Sequence, residues 1–260
     1  ALLMLSNSTT VESNADMKSN LHFNEFLKPL NERLANERTS FPGSETIDQQ
    51  ITRFMETSNI TGVSVAIVKD ERLVYTNAFG FANREEGIKT TPEHLFRVAS
   101  VSKLITAVAI MALIDDGKLS LQSKVFGPNG IINDEKYYNA TDPSMHDITV
   151  KDLLDHGGGW TQRYGDPMFN PILICELTGQ QPPATLDTYL NFVSSRRLHF
   201  KPGTASSYSN MGYVFLGEVI KRISGMEYED FVKSRVLLPL GLFDMHIGAS
   251  YQKHKRENEV

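Results

Sequence analysis

Ser100 and Lys103 stand three residues apart in Phe96-Arg97-Val98-Ala99-Ser100-Val101-Ser102-Lys103, at the head of a long apolar stretch. On a helix that spacing puts both side chains on one face, a turn apart. The pair suits nucleophilic chemistry. A serine hydroxyl is a poor nucleophile until a base takes its proton. A desolvated lysine can be that base, because burial lowers its pKa and favours the neutral amine. A helix N-terminus adds backbone N–H groups and positive dipole where an oxyanion would form. A second pair, Tyr208 and Asn210, lies in Pro202-Gly203-Thr204-Ala205-Ser206-Ser207-Tyr208-Ser209-Asn210, just before another apolar helical segment. The tyrosine could exchange protons with the serine or a leaving group, and the asparagine could hydrogen-bond a substrate amide or carbonyl.

Neither spacing is decisive alone. Serine and lysine recur at this spacing in Ser250…Lys253, within a charged segment that has no apolar helix behind it. Tyrosine and asparagine recur in Tyr75-Thr76-Asn77, Tyr137-Tyr138-Asn139 and Tyr189-Leu190-Asn191. Only Tyr208 and Asn210 sit on a Pro-Gly-led loop held by a helix, where a positioned polar pair is useful. Each pair also has a plain structural role: a serine N-cap with a solvated lysine, and a buried tyrosine with an N-cap asparagine.

The elements that must hold these residues can be read coarsely. Residues 1–43 are rich in Ser, Asn, Thr and Glu and read as loosely structured, with short apolar patches such as Leu21–Phe26. Ser44 can cap a helix through Ser58, with Ile47, Ile51, Phe54 and Met55 on one face. Gly62–Val68 and Leu73–Phe81 read as two strands joined by the turn Lys69-Asp70-Glu71-Arg72, a hairpin. A helix from about Ser100 to Asp116, stopped by Gly117, is apolar nearly all round and should be buried. Thr149–His156 reads as a short helix, with Thr149 and Asp152 in capping-box spacing and Gly157 past its end. Leu186–Val193, Met211–Ser224 and Tyr228–Leu237 are further helices. The expected organisation is a loose segment 1–43, a sheet-and-helix portion 44–116 that includes the Ser100 helix, and a mainly helical portion 117–260.

Composition excludes several classes. With 40% apolar and 22% charged residues over 260 positions the chain is neither low-complexity nor wholly disordered. A net charge of −5 gives no support for a general nucleic-acid binder. The single cysteine, Cys175, allows no internal disulfide and reads as a buried thiol. No apolar run is long enough to span a bilayer. The sequons at Asn7, Asn59 and Asn139 tilt the reading toward a secreted or organellar setting. No G-x-S-x-G elbow, H-E-x-x-H or paired C-x-x-C occurs, so neither an ordinary α/β-hydrolase nor a metal or other cofactor is expected.

Ser100-x-x-Lys103 together with Tyr208-x-Asn210 resembles the serine β-lactamase-related family of penicillin-binding DD-peptidases, class C β-lactamases, related esterases and animal β-lactamase-like proteins. The likeness extends to Leu153-Leu154-Asp155-His156-Gly157-Gly158-Gly159, to Phe200–Gly203 and to Pro239–Leu242, and covers about Ser44 to Gly248. The resemblance implies an α+β fold, an antiparallel sheet flanked by helices beside an all-helical lobe. It implies Ser100 as the acylated nucleophile, Lys103 as its activating partner, Tyr208 as general base or acid and Asn210 as a substrate-positioning group. Which of Lys103 and Tyr208 takes the first proton stays open. His156 is expected to be structural.

One family feature is not matched. The third motif, Lys/His-x-Gly on a strand after the Y-x-N loop, has only weak counterparts in Lys201-Pro202-Gly203, His156-Gly157-Gly158 and His246-Ile247-Gly248. The expectation is therefore a chain without that motif, the remaining strands or the second oxyanion donor. Three readings follow: a serine hydrolase acting on a small-molecule or peptide ester, amide or β-lactam; a non-catalytic binding or assembly module of the same fold; and part of a longer hydrolase completed by its own C-terminal remainder or by self-association.

Overall fold

The computed structural model describes residues 3–5, 41–163, 165–249 and 252–260. The loose segment expected before Ser44 lies outside these from 6 to 40, as do Asn7 and Ser250. Within it Leu3–Leu5 form a strand, β1, that the polar composition of its surroundings concealed. The chain divides into two compact units, 1–99 with 237–260, and 100–236. The division falls at Ser100, so the Ser100 helix belongs with the helical unit and not with the hairpin.

The first unit begins with helix α1, Ser44–Ser58. Its N-cap is Gly43, at φ 100°, and not Ser44, which is buried as the first helical residue with no capping bond from its side chain. Strands β2, Gly62–Lys69, and β3, Arg72–Asn83, form the expected antiparallel hairpin, in register from Gly62 opposite Gly80 to Lys69 opposite Arg72. The two turn residues, Asp70 and Glu71, both adopt left-handed backbone, as a tight twisted hairpin requires. Strand β4, Ile88–Lys89, pairs with β3. In a second small sheet, β1 lies between β5, Phe96–Arg97, and β6, His246–Ile247, antiparallel to both. His246 is buried in this unit, 3.7 Å from Glu259.

The second unit is helical: α2, Ser102–Asp115; α3, Val150–Leu154; α4, Pro171–Thr178; α5, Leu186–Ser194; α6, Asn210–Ser224; and α7, Tyr228–Val232, which runs into a π-helical turn over Lys233–Leu237. Helix α6 packs against α2, α3 and α7, and α4 against α5. Phe215 of α6 is fully buried and meets Phe126 edge-on at 5.1 Å. Ile110, Leu113, Ile132, Met145, Ile148 and Leu153 complete the same core.

Helix α2 departs from its expected burial. Ser102, Thr106, Ala109, Ile110 and Leu113 are buried, but Val101, Leu104, Val108 and Met111 form an exposed stripe. An all-apolar helix carries no periodicity to mark which face packs. The capping box of α3 forms as expected, with Thr149 accepting from the Asp152 amide and Asp152 from that of Thr149. Among the described residues no helix is long and apolar enough to cross a membrane.

Candidate active site

The chain reaches Ser100 through a sharp bend. Ala99 has φ 43°, a left-handed conformation unusual for alanine. Ser100 follows in a 3-10 turn, Ala99–Val101, that leads directly into α2. The bend leaves the Ser100 side chain exposed, and Lys103 lies one turn on, half-buried. Lys103 Nζ donates to Ser100 Oγ at 3.2 Å.

Tyr208 and Asn210 come from the loop that enters α6. Ser209 is the N-cap of that helix, its hydroxyl accepting from the Gly212 amide. This settles the alternative role of Asn210. The capping is done by its neighbour, so the Asn210 amide is free to point at the serine–lysine pair. Asn210 Oδ1 accepts from Lys103 Nζ at 2.6 Å. The Tyr208 hydroxyl shares a 2.6 Å hydrogen bond with Ser100 Oγ. The four residues singled out in the sequence thus meet within one unit, although more than 100 positions separate the pairs.

Three further residues complete the cluster. Asp166, 8% exposed, accepts from Asn210 Nδ2 at 2.7 Å, from Gln162 Nε2 at 2.9 Å and from the Met168 amide at 2.9 Å. Asp166 and Gln162 carried no signal in the sequence, because Gly165-Asp166-Pro167 reads as a turn. One Asp166 oxygen does cap that turn, and the other holds the two side-chain amides. His156 is the third. The sequence pattern ran α3 to His156 with Gly157 past its end, but the helix stops at Leu154 and His156 adopts a left-handed φ of 58°. Its ring lies 4.6 Å from that of Tyr208 and 5.2 Å from that of Tyr213, and Nδ1 accepts from the Ser209 amide. Nε2 therefore carries the proton of the neutral ring.

The electrostatics follow from these contacts. Burial pushes the Tyr208 hydroxyl up, but the neighbouring Lys103 charge and the hydrogen bond to Ser100 outweigh it, holding Tyr208 below the usual value of 10. Burial, reinforced by the Lys103 charge, holds His156 below its usual 6.5. Cys175 is buried in α4. Among the described residues no group of three His, Cys, Asp or Glu side chains is placed to hold a metal ion.

A mixed fold of short antiparallel sheets and many helices, with serine, lysine and tyrosine in one hydrogen-bonded cluster, defines a class. The family model described as Beta-lactamase matches residues 47–259, and the chain belongs to that family. It is 26% identical over 224 residues to "Protein flp" of Staphylococcus aureus (strain N315), covering 85% of this chain and 41% of that protein. It is 28% identical over 197 residues to "Putative D-alanyl-D-alanine carboxypeptidase" of Escherichia coli O157:H7, covering 70% of this chain and 42% of that protein. The octameric penicillin-binding protein homologue from Pyrococcus abyssi superposes with a TM-score of 0.64 at 28% identity, covering 83% of this chain and 47% of that chain. The chain thus spans less than half the length of these relatives.

Proposed function

We propose that the chain carries the nucleophile, base and positioning groups of a serine hydrolase that works through an acyl-serine on an ester, amide or β-lactam. The observation that supports this best is the placement of both Tyr208 (2.6 Å) and Lys103 (3.2 Å) on Ser100 Oγ. Lys103 donates to two oxygens, an arrangement suited to a cation, while Tyr208 is held below its ordinary value by that cation. Tyr208 is then the base. Its phenolate takes the Ser100 proton as Oγ attacks the substrate carbonyl carbon. The tetrahedral adduct collapses, the bond to the alcohol or amine breaks, and Tyr208 returns the proton to that leaving group. Water, deprotonated by Tyr208, attacks the acyl-serine, and its proton passes through Tyr208 back to Ser100 Oγ as the acid departs. Asn210, held by Asp166, fixes Lys103, and in this reading it also positions the substrate amide or carbonyl.

The putting-together of this activity in the whole protein, including any C-terminal remainder or self-association, belongs to the same proposal; the Pyrococcus abyssi homologue is described as octameric. The test is intact mass before and after a fluorophosphonate or fluorescent penicillin, with Ser100→Ala alongside. An adduct on Ser100, absent in the variant, supports the hydrolase. A folded protein without adduct opposes it and favours a binding or assembly module.

A further inference from the structure

A cavity of about 580 Å³ opens beside the cluster and shares Tyr208 and Asp166 with it. All of its lining belongs to the helical unit. Its walls include Trp160, Leu173, Ile174, Leu177, Phe192 and Met211. Among the described residues the only carboxylate in the lining is Asp166, which already accepts from Asn210, Gln162 and the Met168 amide. An ammonium group entering here would find no unengaged anion. The guanidiniums in the lining, Arg196 and Arg197, would repel it, and Arg196 lies over the Phe192 ring at 4.4 Å.

The apolar wall continues to the outside. Ile172, Leu173 and Leu177 of α4 are 64%, 48% and 53% exposed, and Phe169, just before the helix, is 77% exposed. Leu173 and Leu177 belong both to this ridge and to the cavity wall. A contiguous exposed apolar surface is costly in water and marks a site of contact. Its continuity with a cavity that reaches Tyr208, and through Tyr208 the serine, identifies what it contacts. We infer that the cavity takes an apolar acyl or alkyl chain of the substrate that carries no cationic group, entering over the α4 ridge, while the carbonyl of that substrate meets Ser100. The inference rests on the proposed hydrolase for its chemistry, but the choice of ligand rests on the cavity alone.

The chain has a single tryptophan, and it is Trp160, so intrinsic fluorescence reports on this cavity directly. The first arm titrates Ser100→Ala protein with octan-1-ol, butan-1-ol and octylammonium. A saturable Trp160 change with octanol at far lower concentration than with butanol, and weaker binding of octylammonium, is expected. The second arm measures kcat/KM on 4-nitrophenyl acetate, butanoate, hexanoate and octanoate. Each methylene that enters the cavity should raise kcat/KM about fourfold. Leu177→Arg, at a half-exposed position, should lower the octanoate-to-acetate ratio roughly tenfold with an unchanged unfolding midpoint.

No Trp160 response to octanol, or Ser100-dependent hydrolysis that is flat in chain length, overturns the inference and leaves the hydrolase standing. A saturable octanol response without hydrolysis of any ester and without a Ser100 adduct from either probe upholds the ligand class and overturns the hydrolase. Tighter binding of octylammonium than of octanol overturns the charge argument and with it the proposal.

Discussion

Asp166 accepts a 2.7 Å hydrogen bond from the Asn210 side chain, and that contact decides which end of the amide Lys103 meets. A carboxylate can only accept from Asn210, so the amide nitrogen faces Asp166 and the oxygen faces the lysine. Asp166→Ala removes the constraint and leaves Asn210 and Gln162 without their shared acceptor. Loss of a buried charged acceptor costs about 2 kcal/mol in stability, read by urea unfolding. Misplacing Lys103 should slow acylation on the order of 100-fold, read as the rate of Ser100 adduct formation. Asp166→Asn should recover part of the stability, since its oxygen can still accept from one amide.

Tyr208→Phe keeps the ring against His156 and removes the proposed proton acceptor. Acylation should fall by about 100- to 10,000-fold with little change in unfolding midpoint. With Tyr208 as the proposed base, which would work only when deprotonated, the acylation rate of the unaltered protein should rise with pH. Because Tyr208 is held below 10, the rise should be centred below pH 10. Lys103→Ala removes the cation that holds it there and should shift the midpoint upward. A pH–rate midpoint unmoved by Lys103→Ala would count against Tyr208 as the base.

His156 gives a stability signature with a definite sign. Its pKa in the folded protein lies below the unfolded value of 6.5, so the unfolded chain binds the proton more readily. The contribution of the neutral ring is present above pH 6.5 and is lost as pH falls through the lower folded value. Urea unfolding between pH 8 and pH 5 should show stability declining in that window. The decline should be smaller in His156→Gln.

Phe215 tests the core behind the site. It is fully buried between Phe126 and Trp160, with ring centroids at 5.1 and 5.7 Å. Phe215→Ala should cost about 3–5 kcal/mol. Thermal unfolding followed by Trp160 fluorescence would register both the lost stability and the altered ring environment.

The local elements were largely legible from residue pattern. Helix α1 runs through the expected Ser58, although Gly43 and not Ser44 is its N-cap, and the hairpin has its expected turn, because apolar spacing and short-range turn chemistry set both. Ser100, Lys103, Tyr208 and Asn210 were legible as residue types at useful spacing. What brings them together is tertiary packing, as the span from Lys103 to Asn210 shows. The sequence offered Asn210 as an N-cap, whereas the observed geometry assigns the cap to its neighbour Ser209. Asp166 was hidden because its turn-capping oxygen accounts for the residue type while its other oxygen serves a residue 44 positions away. Helix α4 was missed because eight residues beginning at a proline form too short a pattern to read.

The left-handed backbone at His156 sets fold endurance against the cluster it supports. Replacing it with glycine would relieve on the order of 1 kcal/mol of backbone strain, and asparagine would relieve part of it. Either change strips the ring from the face of Tyr208 and the acceptor from the Ser209 amide. The relieved strain and the lost amide acceptor are of similar size, so a variant library sorted for heat resistance alone should tolerate glycine and asparagine at position 156. The survivors would keep their fold with a loosened tyrosine, and a second sort for Ser100 labelling would bring histidine back.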